Sequence, residues 1–291
     1  MANVLGPMDP EFWAMESLIA LENNLVMANL VHRDFENIVA QKGDIINTRQ
    51  PQSFVANDMG ATVTVQDLAP TNVQISLNKW KEVTFVLGDK EQAFSVKNLV
   101  EEYVQPAMYA LANQIDMDLC GLYTDLATSV GVAGTDITAN LVVDGRKALN
   151  AQKAPVDRRF LVLSSKDEAA LLKDDKFVTA EKVGDDGTAL REASLGRRYG
   201  LDIFMDQNIV SAGAAPVTTY NLAFHRNAFG LVMRPLNRNL PGSQVAVVDY
   251  KGLGLRSAVW YEGKEKALYV SIDALYGLKT LNPNLAVQVL G

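Results

Sequence analysis

Cysteine occurs once in the 291 residues, as Cys120, and histidine twice, as His32 and His225. A single thiol excludes an intramolecular disulfide framework and fits a reducing cytoplasm. A zinc site of Cys and His would have to gather nearly all of these from distant positions. No apolar run approaches the ~20 residues of a membrane helix. No basic flank followed by an apolar core opens the chain, so no secretory signal is expected. Positive charge is not in excess: the net charge of −7 argues against affinity for nucleic acid over the whole surface and leaves only a local basic patch. The P-loop, GxSxG, HExxH and GxGxxG motifs are all missing, and with them the phosphate cradles, nucleophile elbows and zinc helices they would build. What remains is an ordinary folded composition, 48% apolar and 21% charged, long enough for one large domain or two. No catalytic residue, metal ligand or cofactor is expected. An oligomeric enzyme working through carboxylates alone is the remote alternative.

Residues 16–31 carry Leu18, Leu21, Leu25, Met27 and Val31 at helical spacings, which predicts an amphipathic helix. Before it, Gly6–Phe12 (GPMDPEF) has the composition of a frayed terminus or of a cloning scar. From Phe35 to Leu87 the pattern becomes extended. A short strand closed by Pro51 is predicted in KGDIINTRQP, another at 62–68 (TVTVQDL), and a long one at 72–87 (NVQISLNKWKEVTFVL). Such a ribbon is marginal alone in water and needs a surface to lie on. The strongest signal follows. Small or apolar residues recur from Val96 to Leu126 on one helical face, about nine turns, with Ser95 as N-cap, Gly131 and Gly134 as terminators and a kink expected at Pro106.

Beyond it the chain reads as mixed α/β. A helix capped by Asp136 is followed by a strand at 158–164 and a capping-box helix opening at Ser165 and Glu168. Residues 173–188 are a charged surface loop, and the last third is rich in strands. In LREASLGRRYGLDIFMDQNI (190–209) a helix should stop at a left-handed Gly196. Arg197 and Arg198 would then complement the helix dipole at a domain corner rather than grip a phosphate. Contact of this pair with nucleic acid is the minor reading.

The segments ENNLVMANLVHRDFE, EEYVQPAMYALANQIDMDLCGLY, EASLGRRYGLDIFMDQNI and DALYGLKTLNPNLAVQVLG, with a KGD ribbon after the first, occur in one order from about Glu16 to Gly291. In that order they resemble the major capsid proteins of tailed bacteriophages, which have the Hong Kong 97-type (Johnson) fold. The resemblance implies an α+β chain with an N-terminal arm (1–34), an extended β-ribbon loop (35–90) and a peripheral-domain spine helix (91–134). An axial domain (135–233) and C-terminal strands returning to the peripheral domain (234–291) complete it. Only SAGAAPVTTYN (211–221) stands where larger relatives carry an insertion domain, so the chain falls in the branch lacking it.

The implied function is self-assembly through hexamers and pentamers into an icosahedral head around double-stranded DNA. Scaffolding, portal and decoration proteins would be partners, the DNA would be held without sequence-specific contacts, and no membrane is involved. The protein would assemble in the host cytoplasm and reside in the virion. An encapsulin-type nanocompartment shell is the alternative. Subunit contacts are expected at Trp13, Arg33, Asp34, Lys42, Arg49, Phe54, Lys79, Trp80, Lys81, Arg197 and Arg198. Trp80 would be an aromatic anchor, with packing inside its own chain as the competing reading. Arg49, Lys79 and Lys81 are expected to be solvated, with ion pairs to an acidic neighbour as the second reading. The family's Lys–Asn crosslink would need Lys79 or Lys81 and an asparagine that the sequence does not single out.

Overall fold

The computed structural model describes residues 14–19, 21, 25–35, 45–50, 54–60, 62, 63, 65–67, 71–88, 103–178, 193, 195–213, 215–236, 242–250 and 253–291. The N-terminal segment is helical at 14–19 and at Leu21, and again in a single turn, α1 (Met27–Leu30). The predicted helix over 16–31 is therefore interrupted at Leu25–Val26. The amides of Val26 and Ala28 leave the helical ladder for the side chain of Asp116. Its apolar face still forms part of the core, through Leu18, Leu21, Leu25, Met27 and Val31.

Two strands, β1 (Ile45–Gln50) and β2 (Thr71–Ser76), make an antiparallel ribbon with Ile46 opposite Ile75. Among the described ribbon side chains Ile46 and Ile75 are the buried ones, packed onto Phe35 and Val232. The base of the ribbon thus rests on its own chain. Alternation continues through 72–87, but the strand breaks at Leu77–Asn78 and resumes as β3 (Lys79–Gly88) in another sheet. The described residues of 62–67 belong to no strand, although TVTVQDL alternates. Alternation fits a pleated surface only where a partner strand exists, and none of the described residues supplies one.

The spine helix is described from a π-turn at 103–104 through α2 (Gln105–Cys120) to a 3₁₀ turn at Gly121–Asp125. Its expected beginning, 91–102 with Ser95 as cap, lies outside the described residues. Pro106 stands at the start of α2, directly after the π-turn at 103–104; the upstream residues against which the expected kink would show, 91–102, lie outside the described residues. The run stops at an extended Leu126, short of Gly131, because β4 (Ser129–Val130) is drawn into a sheet. Ala107, Met108, Leu111, Ala112, Ile115, Leu119 and Cys120 are its buried face.

Helix α3 (Ala139–Ala151) is capped by Thr138, whose hydroxyl accepts from the Leu141 amide at 3.4 Å, and not by Asp136. Strand β5 (Arg159–Leu163) leads into α4 (Ser165–Leu172), and α5 (Asp175–Val178) follows. The cap of α4 is Ser164 rather than Ser165: its Oγ accepts from the Asp167 amide at 3.2 Å and donates to Asp167 Oδ2 at 2.7 Å. The expected box is thus shifted by one residue, with a buried aspartate in place of Glu168. Ser164→Ala should lower unfolding stability by about 1–2 kcal/mol, since it removes a cap and one bond of a buried carboxylate. Urea denaturation of the variant measures this.

The remaining strands are β6 (Arg197–Arg198), β7 (Leu201–Met205), β8 (Ser211–Ala212), β9 (Thr218–His225), β10 (Phe229–Arg234), β11 (Gln244–Tyr250), β12 (Leu253–Glu262), β13 (Ala267–Thr280) and β14 (Ala286–Leu290). They form two sheets. One runs β4-β14-β9-β5-β7-β6, with β8 on β9, and is parallel at β4–β14 and at β5–β7. Helix α3 packs on it through Val142 and Leu149 against Leu161, Val287 and Val289. The other runs β10-β13-β12-β11, and β3 pairs with β13. Strand β13 is its axis, paired with β12 over Ala267–Asp273, with β3 over Ala267–Tyr276 and with β10 over Leu275–Thr280. The spine helix and the N-terminal segment share the core of this sheet. Gly277 in β13 is required where the ribbon crosses, because a Cβ there would collide with the Ser76 carbonyl.

Candidate subunit interface

The ribbon's far end carries its apolar side chains outward. Phe54, Val55, Met59, Val63 and Val65 are exposed, Val65 by 82%. Gln66 holds this end together by a side-chain amide that binds both the N–H and the C=O of Val55. That amide copies a ladder pair with one residue and leaves the apolar side chains to solvent. Scattered exposed apolar residues are ordinary on a protein surface, but several in a segment of fourteen positions form a patch. Sequence reasoning selected Phe54 and passed over Val55, Met59, Val63 and Val65. Val63 and Val65 fall in the strand predicted at 62–68, and Val55 and Met59 in a predicted turn region.

Trp80 stands on β3 with 60% of its surface exposed. Its indole N–H nevertheless donates to Asp273 Oδ2 on β13 at 3.1 Å. Asp273 also takes the Arg256 guanidinium, Nε to Oδ1 at 3.0 Å and Nη2 to Oδ2. Trp80, Glu82, Ser243, Arg256, Trp260 and Asp273 line a groove of about 360 Å³. The ring is therefore held in orientation by its own chain while most of its surface stays exposed. Anchoring of this kind lowers the conformational entropy lost when a partner docks.

The other expected contact residues divide. Lys79 turns inward: its ammonium meets Asp118 Oδ1 of the spine helix at 2.9 Å, and the Tyr276 hydroxyl donates to the same carboxylate at 2.7 Å. Burial and the bond to Asp118 raise the Tyr276 hydroxyl far above its ordinary value. Lys81, two residues on, is half-buried on the same side of β3. Asp34 is exposed yet bound to Arg226, whose Nη2 lies 3.2 Å from both carboxylate oxygens. Arg33 beside it is half-buried. Arg49 is exposed on β1 and borders a cavity of about 350 Å³ that both histidines also line. Burial lowers the pKa of His32 and of His225, against the pull of Asp34 and Asp157 respectively. Trp13 and Lys42 lie outside the described residues.

Arg197 and Arg198 do not end a helix. They form β6, paired with Leu201–Asp202 across a turn in which Tyr199 and Gly200 have φ of 51° and 78°. Two positive φ values at the centre of a two-residue hairpin match the twist of its strands. Arg197 reaches Asp202 at 3.7 Å, and Gly200 passes over the Arg146 guanidinium with a virtual Cβ at 3.5 Å. Gly196 is left-handed as expected, φ 55°, but it precedes a strand. The basic pair is a hairpin corner, and the described residues just before it, Leu195 and Gly196, are not helical.

Among the described residues no group of three or more His, Cys, Asp and Glu is placed to hold a metal ion. No helix there is long and apolar enough to cross a membrane.

Residues 70–264 match a family model described as phage capsid protein. No curated protein matches. A chain from Mycobacterium phage Che8 superposes with a TM-score of 0.70 at 20% identity, over 91% of this chain and 90% of that one. The capsid of Cyanophage P-SCSP1u gives 0.57 at 14% identity, over 85% and 83%. An encapsulin complex from Synechococcus elongatus gives 0.51 at 11%, over 86% and 82%. At such identities the likeness is one of fold.

Proposed function

The chain belongs to the phage capsid protein family, and from that premise we propose that it is a major capsid protein whose copies close through hexamers and pentamers into an icosahedral shell around double-stranded DNA. The observation that carries this reading is the ribbon. Its base is packed on its own chain and its outer segment, Phe54 to Val65, displays apolar side chains that nothing described in the chain covers. A second copy is the natural cover. The contact is heterologous, since the ribbon of one subunit meets a different surface of the next, and repeated heterologous contacts close into rings. The working parts are the arm (1–34), the extended loop (35–90), the spine helix segment (91–134), the axial domain (135–233) and the C-terminal strands (234–291). Trp80, Arg33, Asp34, Arg49, Phe54, Lys81, Arg197 and Arg198 supply contacts along their margins, with Trp13 and Lys42 joining them from the arm and the ribbon.

Scaffolding, portal and decoration proteins are the further partners of such a shell, and the virion assembled in the host cytoplasm is its setting. With a net charge of −7, the protein confines DNA rather than binding it tightly. The role is structural, without a chemical step. Encapsulin-like storage is the second reading, favoured by the fold shared with the encapsulin complex.

Negative-stain electron microscopy of the purified protein, alone and with its scaffolding partner, should reveal uniform hollow shells or rings. Monomers persisting in both preparations would overturn the shell reading. Shells that copurify with a protein cargo and no DNA would decide for the storage compartment.

A further inference from the structure

The cavity of about 350 Å³ beside Arg49 lies where the ribbon, the N-terminal segment and the sheet of β9 meet. The ribbon brings Thr48, Arg49 and Val73 to it, the residues after α1 bring His32, and the end of β9 brings His225. The polar part of its lining is rich in donors and holds no carboxylate: two imidazoles, one guanidinium, one hydroxyl and two side-chain amides. His225 is 4% exposed. Its Nδ1 accepts from the Asn227 amide at 3.2 Å, so the neutral ring carries its proton on Nε2. That nitrogen is 3.9 Å from Asp157 Oδ1, too far for a hydrogen bond. His32 Nδ1 is 3.7 Å from Asp34, a carboxylate already taken by Arg226. Arg49 has no hydrogen-bond or ion-pair partner among the described residues. The acceptors at hand are spent: Asn282 Oδ1 takes the Asn284 amide at 3.0 Å, and the Pro155 carbonyl takes Arg159 Nε at 2.6 Å. Arg226 acts on His32, and Arg158 and Arg159 act on His225. With Arg49 these make four guanidinium groups against two carboxylates, Asp34 and Asp157, in a chain whose net charge is −7.

We propose that this cavity binds a free tetrahedral oxyanion, of the phosphate or sulfate class, between the Arg49 guanidinium and the ring N–H groups of His225 and His32. Bonds from donors to an ionised acceptor are the strong ones, and the apolar wall of Val73, Leu281 and Leu285 keeps the local dielectric low. Asp34 and Asp157 do not line the cavity. Both side chains are mostly exposed, at 66% and 72%, so solvent and salt screen their repulsion of the guest. Arg49 belongs to the ribbon and His225 to the body. An anion held by both therefore ties the ribbon's base down at a second point, beside the contact of Ile46 and Ile75 with Phe35 and Val232. The site does not depend on the shell reading. Its use does: a bound anion fixes the angle at which the ribbon leaves for a neighbouring subunit.

Titration of inorganic phosphate into the full-length, unassembled protein tests this, with chloride at matched ionic strength as control. The ring nitrogens of the two histidines, labelled with ¹⁵N, report binding by NMR. Both rings should shift along one saturating curve. Arg49→Gln should weaken phosphate affinity at least tenfold, since it removes a charged donor. Lys264→Gln, in the turn between β12 and β13, should leave the affinity unchanged. Shifts that never saturate, or that chloride produces equally, overturn the site. So does a wild-type affinity in Arg49→Gln, or a loss as large in Lys264→Gln. A DNA duplex at the same phosphate concentration should leave both rings unmoved, because it cannot present a phosphate to so buried an imidazole. Ring shifts with the duplex as large as those with the free ion would overturn the assignment to a free oxyanion. Because the subunits are unassembled, a failure to form shells leaves this result untouched.

Discussion

Replacing residues 54–67 by a two-residue turn should abolish shells while leaving a folded subunit. The segment contributes Phe54, Val55, Met59, Val63 and Val65 to the surface and nothing to the described core, so its removal takes away no intrachain burial. Full burial of such a side chain is worth about 1.5–3 kcal/mol. If a neighbour covers each by half, the five together supply roughly 5 kcal/mol per contact, equivalent to about three to four decades in association constant. Each subunit makes the contact as donor and as acceptor, so the assembly threshold should rise at least a thousandfold. Sedimentation velocity over a concentration series measures the threshold, and circular dichroism checks the fold. Normal shells at wild-type concentrations would show that the ribbon's outer segment is not an assembly contact. A variant that is itself unfolded would mean the segment packs within its own chain.

The ribbon also shows where sequence reasoning stops. The alternation of 72–87 was legible, and so was the face of the spine helix, because both periods are local properties of the chain. The break at Leu77–Asn78 was not, because what divides β2 from β3 is the choice of β1 or β13 as partner, a tertiary matter. Caps were misplaced by one or two residues for a similar reason. Asp136, Thr138, Ser164 and Ser165 are all chemically able to cap, and the entry angle of the helix decides among them.

Of the candidate contacts, the exposed ones came from residue type: a tryptophan and basic residues on an amphipathic ribbon. The inward turn of Lys79 toward Asp118 depends on a residue 39 positions along the chain, which no local pattern reveals. Asp116 left a faint trace. It is an acid inside the run of small and apolar positions at 112, 115 and 119. Such a residue can equally well be solvated at the stripe's edge, so its burial appears only with the arm in place. The same holds for Asp273, one polar position in the strand SIDALYG.

Asp273→Ala should be among the most damaging single substitutions in the protein. Its carboxylate is 4% exposed and its partner Arg256 12%, and the two face each other directly in the β12–β13 register. On the other side Asp273 is paired in register with Glu82 of β3. Arg256 offsets the charge of Asp273 directly, and Trp80 adds a third bond to that carboxylate. Removing the aspartate takes its direct counter-charge from a guanidinium whose side chain is only 12% exposed. Breaking a buried pair this way costs about 3–5 kcal/mol, which for a chain of this size lowers Tm by roughly 6–20 °C. Replacing both partners, Arg256→Met with Asp273→Leu, should recover most of that loss, because the penalty lies in the orphaned charge rather than in the missing attraction. Trp80 would still lack its hydrogen bond in the double variant. Its ring would no longer be held at one angle, so assembly should remain weaker than wild type after stability has returned. Differential scanning calorimetry of the two variants, alongside their assembly thresholds, separates these effects. A double variant as unstable as Asp273→Ala would place the damage in packing rather than charge. A double variant that assembles normally would mean that the anchored orientation of Trp80 contributes nothing to the contact.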